Sequence, residues 1–104
     1  MGLYLVEHRH TAETCPRRSK ETVNQLFTHL TPYNAAKLGV QILGDWVNDD
    51  EHHLVLILEA SDQDTVARFV NPLAAIGSVA IHQGTVCSEV SEQCLAAESK
   101  STTK

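Results

Sequence analysis

A chain of 104 residues has room for one hydrophobic core and not for two, since a domain of this size buries only about two thirds of the surface its unfolded chain exposes. Its 42% hydrophobic and 20% charged content exclude a wholly disordered or collagen-like polymer. A formal charge of -5, with no basic cluster beyond Arg17-Arg18 and Lys20, leaves no electrostatic footprint for a phosphate backbone, so nucleic acid is not an expected partner.

Met1 to Val6 is a short apolar run that meets Glu7, His8 and Arg9 with no basic leader before it and no small-residue cleavage site after it. No apolar stretch approaches the roughly 20 residues that span a bilayer. These features predict a cytoplasmic protein that does not enter a membrane. Cys15, Cys87 and Cys94 are an odd number at wide spacing, which is not a disulfide framework, and a reducing compartment keeps them as thiols. In an oxidising environment a single Cys15–Cys87 bridge stays open, and buried or inert thiols are the plain alternative.

Gly2 to His10 alternates as a strand does, with Tyr4, Val6, His8 and His10 on one side and Leu3, Leu5, Glu7 and Arg9 on the other. Thr11 to Pro16 breaks the pattern, and Pro16 suits the first turn of a helix. Val23, Leu26, Phe27 and Leu30 recur at helical spacing and predict one buried stripe. Thr31-Pro32 reads as an N-cap with Pro behind it, opening a short second helix through Ala35, Ala36 and Leu38 that Gly39 ends in the left-handed region.

Val40 to Val47 and His53 to Ala60 read as strands joined by the turn-favouring Asn48-Asp49-Asp50-Glu51, and the unbroken apolar run Leu54 to Leu58 suits a central strand. Ser61 followed by Asp64 resembles a capping box for a helix with Val66, Phe69, Val70 and Leu73 on its inner side, running to about Ile76 and kinked or ended at Pro72. Gly77 closes it before the last strand, Ser78 to His82. His29 is expected on the surface, and the side taken by His82 depends on a register the sequence leaves open. Residues 1–90 form one domain on this reading, and residues 91–104 a frayed polar tail.

Strand, helix, strand, strand, helix, strand is the order of an α+β, ferredoxin-like β-α-β-β-α-β sandwich. Right-handed crossovers place the helices on one face of a four-stranded antiparallel sheet. The other face carries Val, Ile, Leu and Trp46, too large an apolar patch for a monomer, which predicts a homodimer through the sheet face.

The segments Leu3-Tyr4-Leu5-Val6-Glu7, Gly39-Val40-Gln41-Ile42-Leu43-Gly44-Asp45-Trp46 and Leu56-Ile57-Leu58-Glu59-Ala60 lie on this layout. Through them the chain resembles small bacterial proteins of unknown function in the dimeric α+β barrel superfamily, over about residues 2 to 90. The resemblance implies a pocket between helices and sheet. The superfamily includes cofactor-free monooxygenases, lactone isomerases, haem-dependent dismutases and a nickel-binding group, so it implies no single chemistry.

His8-Arg9-His10 followed by Cys15 carries the strongest chemical signal. Histidines two apart on a strand face one side, and a thiol five residues on can fold back to them. Imidazole and thiolate together suit zinc, nickel or copper. His53 (or its neighbour His52) and Cys87 are candidates for a further ligand. A second reading makes His8, His10 and Asp45 acid–base groups of a small cofactor-independent enzyme of the monooxygenase or isomerase type, its apolar pocket walled by Tyr4 and Trp46 and binding a small organic molecule. In the third reading the chain is a non-catalytic ligand-binding or dimerisation module, with Tyr4 and Trp46 in plain packing roles. Asp49, Asp50 and Glu51 read as a solvated turn.

Overall fold

A computed structural model gives the backbone of residues 2–101 and the side chains of residues 2–95. Strands β1 (Gly2–Arg9), β2 (Val40–Asn48), β3 (His53–Ala60) and β4 (Ser78–Gly84) form one sheet in the order β2-β3-β1-β4, every neighbour antiparallel. The two central strands are therefore β1 and β3, as the apolar run in β3 predicts. Period-two alternation assigns the faces. Tyr4, Val6 and His8 on β1 and Leu54, Leu56 and Leu58 on β3 are all buried under the helices.

Helix α1 (Lys20–His29) comes after a single 3₁₀ turn at Pro16–Arg18 and starts where Ser19 Oγ accepts from the Thr22 N–H at 3.2 Å. Helix α2 (Pro32–Lys37) is capped in the same way by Thr31, and Gly39 leaves it at φ +79°, the conformation that favours glycine. Helix α3 (Gln63–Phe69) is capped by Asp62, whose carboxylate accepts from the Thr65 N–H at 2.8 Å. The expected cap was Ser61; Asp62 displaces it because its oxygen reaches both the amide and the hydroxyl of Thr65. Pro72 sits in the first turn of a separate helix α4 (Asn71–Ala74), so the regular part of α3 ends before it, as expected.

These helices cover one face of the sheet. Leu26, Ala35, Val66, Phe69, Val70 and Leu73 pack on the inner residues of β1 and β3 to form the core. Each fully buried Leu, Val or Phe contributes about 1.5–3 kcal/mol of transfer free energy. Phe27 departs from its expected place in that core. At 52% exposure it lies at the edge of the α1 stripe, where the ring reaches the lip of a cavity instead. His29, expected on the surface, is half-buried: its ring stacks on Phe69 and its Nε2 meets the Phe69 carbonyl at 2.5 Å.

A bulge between Ile42 and Gly44 shifts the parity of β2, so that Asp45 and Val47 turn toward the helix side and Trp46 away from it. Leu5, Trp46 and Ile57 are exposed on the face without helices. The backbone after β4 forms helix α5 (Cys87–Ser101) where a frayed tail was expected. Its side chains through Leu95 are all exposed, in keeping with the polar composition of the segment. Residues 102–104 of the expected tail lie outside the described residues. Among the described residues no helix is long and apolar enough to cross a membrane.

Candidate metal centre

The carboxyl end of β1 and the loops beside it gather three potential ligands. His10 comes directly after the strand, Cys15 precedes the 3₁₀ turn, and His52 ends the β2–β3 hairpin. One ligand atom from each lies within 4.8 Å of the others, and they are the one such group of three among the described residues. A tetrahedral ion at bond lengths of about 2.0–2.3 Å needs its ligand atoms about 3.4–3.7 Å apart. Movement of about an ångström within two loops would close the gap.

Backbone chemistry holds the three in place. Asn48 Oδ1 accepts from the Glu51 N–H at 3.1 Å and the His52 N–H donates to the Asp49 carbonyl at 3.2 Å, which fixes the hairpin. The His10 N–H then donates to the His52 carbonyl at 3.1 Å, tying the two ligand segments together. His52 itself has φ +51°, unusual for a residue with a Cβ although histidine tolerates it better than most. On the other side Gly77 presses against the strand end. A Cβ there would lie 2.2 Å from the Arg9 carbonyl oxygen and 2.9 Å from the His10 Cβ, so only glycine allows β4 to start this close to the site.

His8 stands behind His10. Its Nδ1 is 3.1 Å from the Ser78 carbonyl, and its Nε2 is 3.0 Å from His10 Nδ1. A carbonyl only accepts, so His8 Nδ1 carries the proton and donates to it. Burial first, and then the neighbouring His10, lower the His8 pKa below the usual 6.5, favouring the neutral ring whose Nε2 is an acceptor. His10 Nδ1 must then carry a proton and donate to His8. Burial and the nearby His52 lower the His10 pKa as well, so this ring too is neutral and its Nε2 keeps a bare lone pair. The hydrogen-bond network thus assigns both tautomers.

The consequence is visible in the polar atoms left over. Among the described residues three buried side-chain nitrogens have no hydrogen-bond partner: His53 Nε2 on the other face of the sheet, and His10 Nε2 and His52 Nδ1 here. A buried polar atom left unpaired costs about 1–3 kcal/mol, so two in contact range of one buried thiol is an expensive arrangement unless something binds there. The three line a cavity of about 50 Å³ whose remaining walls are largely apolar, among them Val23, Leu26, Val47 and Leu54. The Arg17 guanidinium meets the Asp49 carboxylate at 3.4 Å on its rim.

Not every residue singled out from the sequence reaches this place. His10 and Cys15 do. His8 is behind His10, with both nitrogens committed to hydrogen bonds. His53 points to the opposite face of the sheet, where its Nε2 lies 3.5 Å from the Glu7 carboxylate. His52 takes the position expected of it. Parity carried the signal, because His52 falls in phase with the inward-facing Leu54, Leu56 and Leu58, and His53 with the outward-facing Val55 and Ile57. Cys87 is exposed and begins α5 just beyond Gly84, which pairs with Leu3. It therefore stands at the other end of β1, about seven residues or 24 Å along the strand from the site.

Tyr4 stands apart from the site, and Asp45 and Trp46 border a separate groove. Tyr4 is buried in the core. Asp45 borders a shallow groove of about 270 Å³ on the helix side with Phe27, Leu30 and Leu56. The Trp46 ring stands edge-on to His53, with centroids 5.2 Å apart. On that same face His82, whose side the sequence leaves open, has its Nε2 3.6 Å from Glu7.

Comparison with known proteins agrees with the architecture. No curated protein matches the chain. A solved structure described as the crystal structure of an antibiotic biosynthesis monooxygenase superposes with a TM-score of 0.55 at 14% identity, covering 83% of this chain and 98% of that one. At that identity the likeness shows the ferredoxin-like fold and does not carry the activity across. A family model described as a domain of unknown function, DUF3303, matches residues 3–93, and the chain belongs to that family.

Proposed function

We propose that the chain is a small metal-binding protein whose centre is formed by His10 Nε2, the Cys15 thiolate and His52 Nδ1, with His8 as the hydrogen-bonded support of His10. One observation carries this reading: two buried imidazole nitrogens without partners face one buried thiol. Coordination would remove both orphaned atoms, and the hydrogen-bond chain from His10 through His8 to Ser78 is the kind of support that metal-bound histidines use to fix their tautomer. Two imidazoles and a thiolate suit a borderline ion such as zinc, nickel or copper. A cytoplasmic, reducing setting would keep Cys15 available as a thiol.

The test is elemental analysis of untagged protein together with Cys15→Ser and His10→Ala variants. Near-stoichiometric metal in the parent protein and none in the variants supports the proposal. Metal-free parent protein that takes up no added zinc, nickel or copper sinks it.

A second reading rests on the groove beside Phe27, Asp45 and Val47, which at about 270 Å³ comes nearer than the inner cavity to the size of an organic ligand. Sites for organic ligands run to about 300–1,000 Å³. A small cofactor-independent enzyme would place its substrate in that groove with Asp45 as the base. Homodimerisation is part of either reading, since Leu5, Trp46 and Ile57 are exposed on one sheet face and a second copy would cover them.

A further inference from the structure

Resting on the metal reading, we infer that the fourth coordination position is a seat for a small monoanion, such as hydroxide, hydroperoxide or a linear pseudohalide, and that Phe27 sets its size limit. The ligand group supplies three atoms, one short of the tetrahedral set that closes a structural zinc site. The unfilled side opens into the apolar cavity. That cavity is about 50 Å³, and at about 10–15 Å³ for each water-sized centre it has room for three to five, one of them taken by the ion.

Charge selects within that size. A divalent ion with one thiolate and two neutral imidazoles carries a net +1. Of the other groups on the cavity wall, His8 has both ring nitrogens taken by the Ser78 carbonyl and His10 Nδ1, and Arg17 and Asp49 offset each other at the rim. A single buried charge among Val23, Leu26, Val47 and Leu54 is costly, and a monoanion cancels it whereas a neutral ligand does not.

Phe27 supplies the boundary. Phe27, Val47 and Leu54 line both the cavity and the neighbouring groove of about 270 Å³, so the phenyl ring forms part of the partition between them. Phe27 is 52% exposed, and removing its ring joins the two spaces at little expense to the core.

The experiment uses the full chain loaded with Co(II), whose thiolate-to-metal band first reports that Cys15 is bound. Azide should then perturb the visible cobalt bands in a saturable way. Acetamide, of similar size but neutral, and benzoate, an anion of greater size, should bind about tenfold more weakly or worse. In Phe27→Ala, benzoate should approach azide. Bands unmoved by azide, or equally moved by benzoate in the parent protein, overturn the inference and leave the metal reading standing. Failure of the thiolate band to form overturns both.

Discussion

Two histidine clusters lie on opposite faces of the sheet at the same end of β1, and they differ in whether a carboxylate is present. On the helix side the rings of His8, His10 and His52 follow one another at a tilt, with centroids 5.1 Å apart at each step, and the carboxylate on their cavity wall, that of Asp49, is taken by Arg17. On the open side Glu7 sits between His53 and His82, one oxygen 3.5 Å from the first and the other 3.6 Å from the second. A carboxylate offers neighbouring imidazoles an acceptor and makes a polar cluster on that face. Without one, buried imidazoles stay neutral and present lone pairs, which is what a metal needs. One residue type thus meets two electrostatic settings on the two sides of a single sheet.

The sharpest way to break this contrast is to remove a ligand. Cys15→Ser or His52→Ala should abolish stoichiometric metal binding, measured by calorimetric titration with zinc. His53→Ala and His82→Ala should leave the affinity within about twofold, because their imidazoles face away from the site; a large loss in either would make the two clusters one.

Next in size is the supporting ring. His8→Ala should weaken metal binding by about 10–100-fold without removing a ligand. His8→Gln, whose amide oxygen can accept from His10 Nδ1, should recover part of that loss. Equal effects of the two substitutions would argue that His8 acts through packing alone.

Acid should separate the clusters in the metal-free protein. His8 and His10 have pKa values lowered from 6.5 in the fold, so below that pH the unfolded chain takes up more protons than the folded one. Their contribution is fully present above pH 6.5 and is lost as the pH falls below it toward the lowered values. Denaturant midpoints should therefore drop between about pH 7 and about pH 5, and less so in His8→Gln. A midpoint that rises on acidification would mean that the helix-side rings are charged in the fold.

The smallest effect belongs to the open face. Glu7 and His82 are both partly exposed, and such pairs are worth about 0–1 kcal/mol. Glu7→Gln should change monomer stability by no more than that, read from urea melts, with metal affinity unchanged.

Much of this is legible in the sequence. The helical spacing of Val66, Phe69, Val70 and Leu73 and the apolar run of β3 lead to the sheet order, and the spacing of His8, His10 and Cys15 points to the right strand end. Two site assignments turn on finer points of that layout. The choice of His52 over His53 depends on strand parity across a tight turn, and a shift of one residue reverses every side chain. The distance of Cys87 depends on strand direction, since an antiparallel β4 carries the chain beyond it away from His10. The orphaned nitrogens have no sequence signal at all, because they arise from a tautomer chain ending on the backbone carbonyl of Ser78.

The decisive measurement is the metal content of the untagged protein as purified, with His10→Ala beside it. About one equivalent of a transition metal per chain is expected, lost in the variant along with the buried lone pair that holds it. Protein free of metal that stays free after incubation with zinc, nickel and copper under reducing conditions would contradict the metal reading.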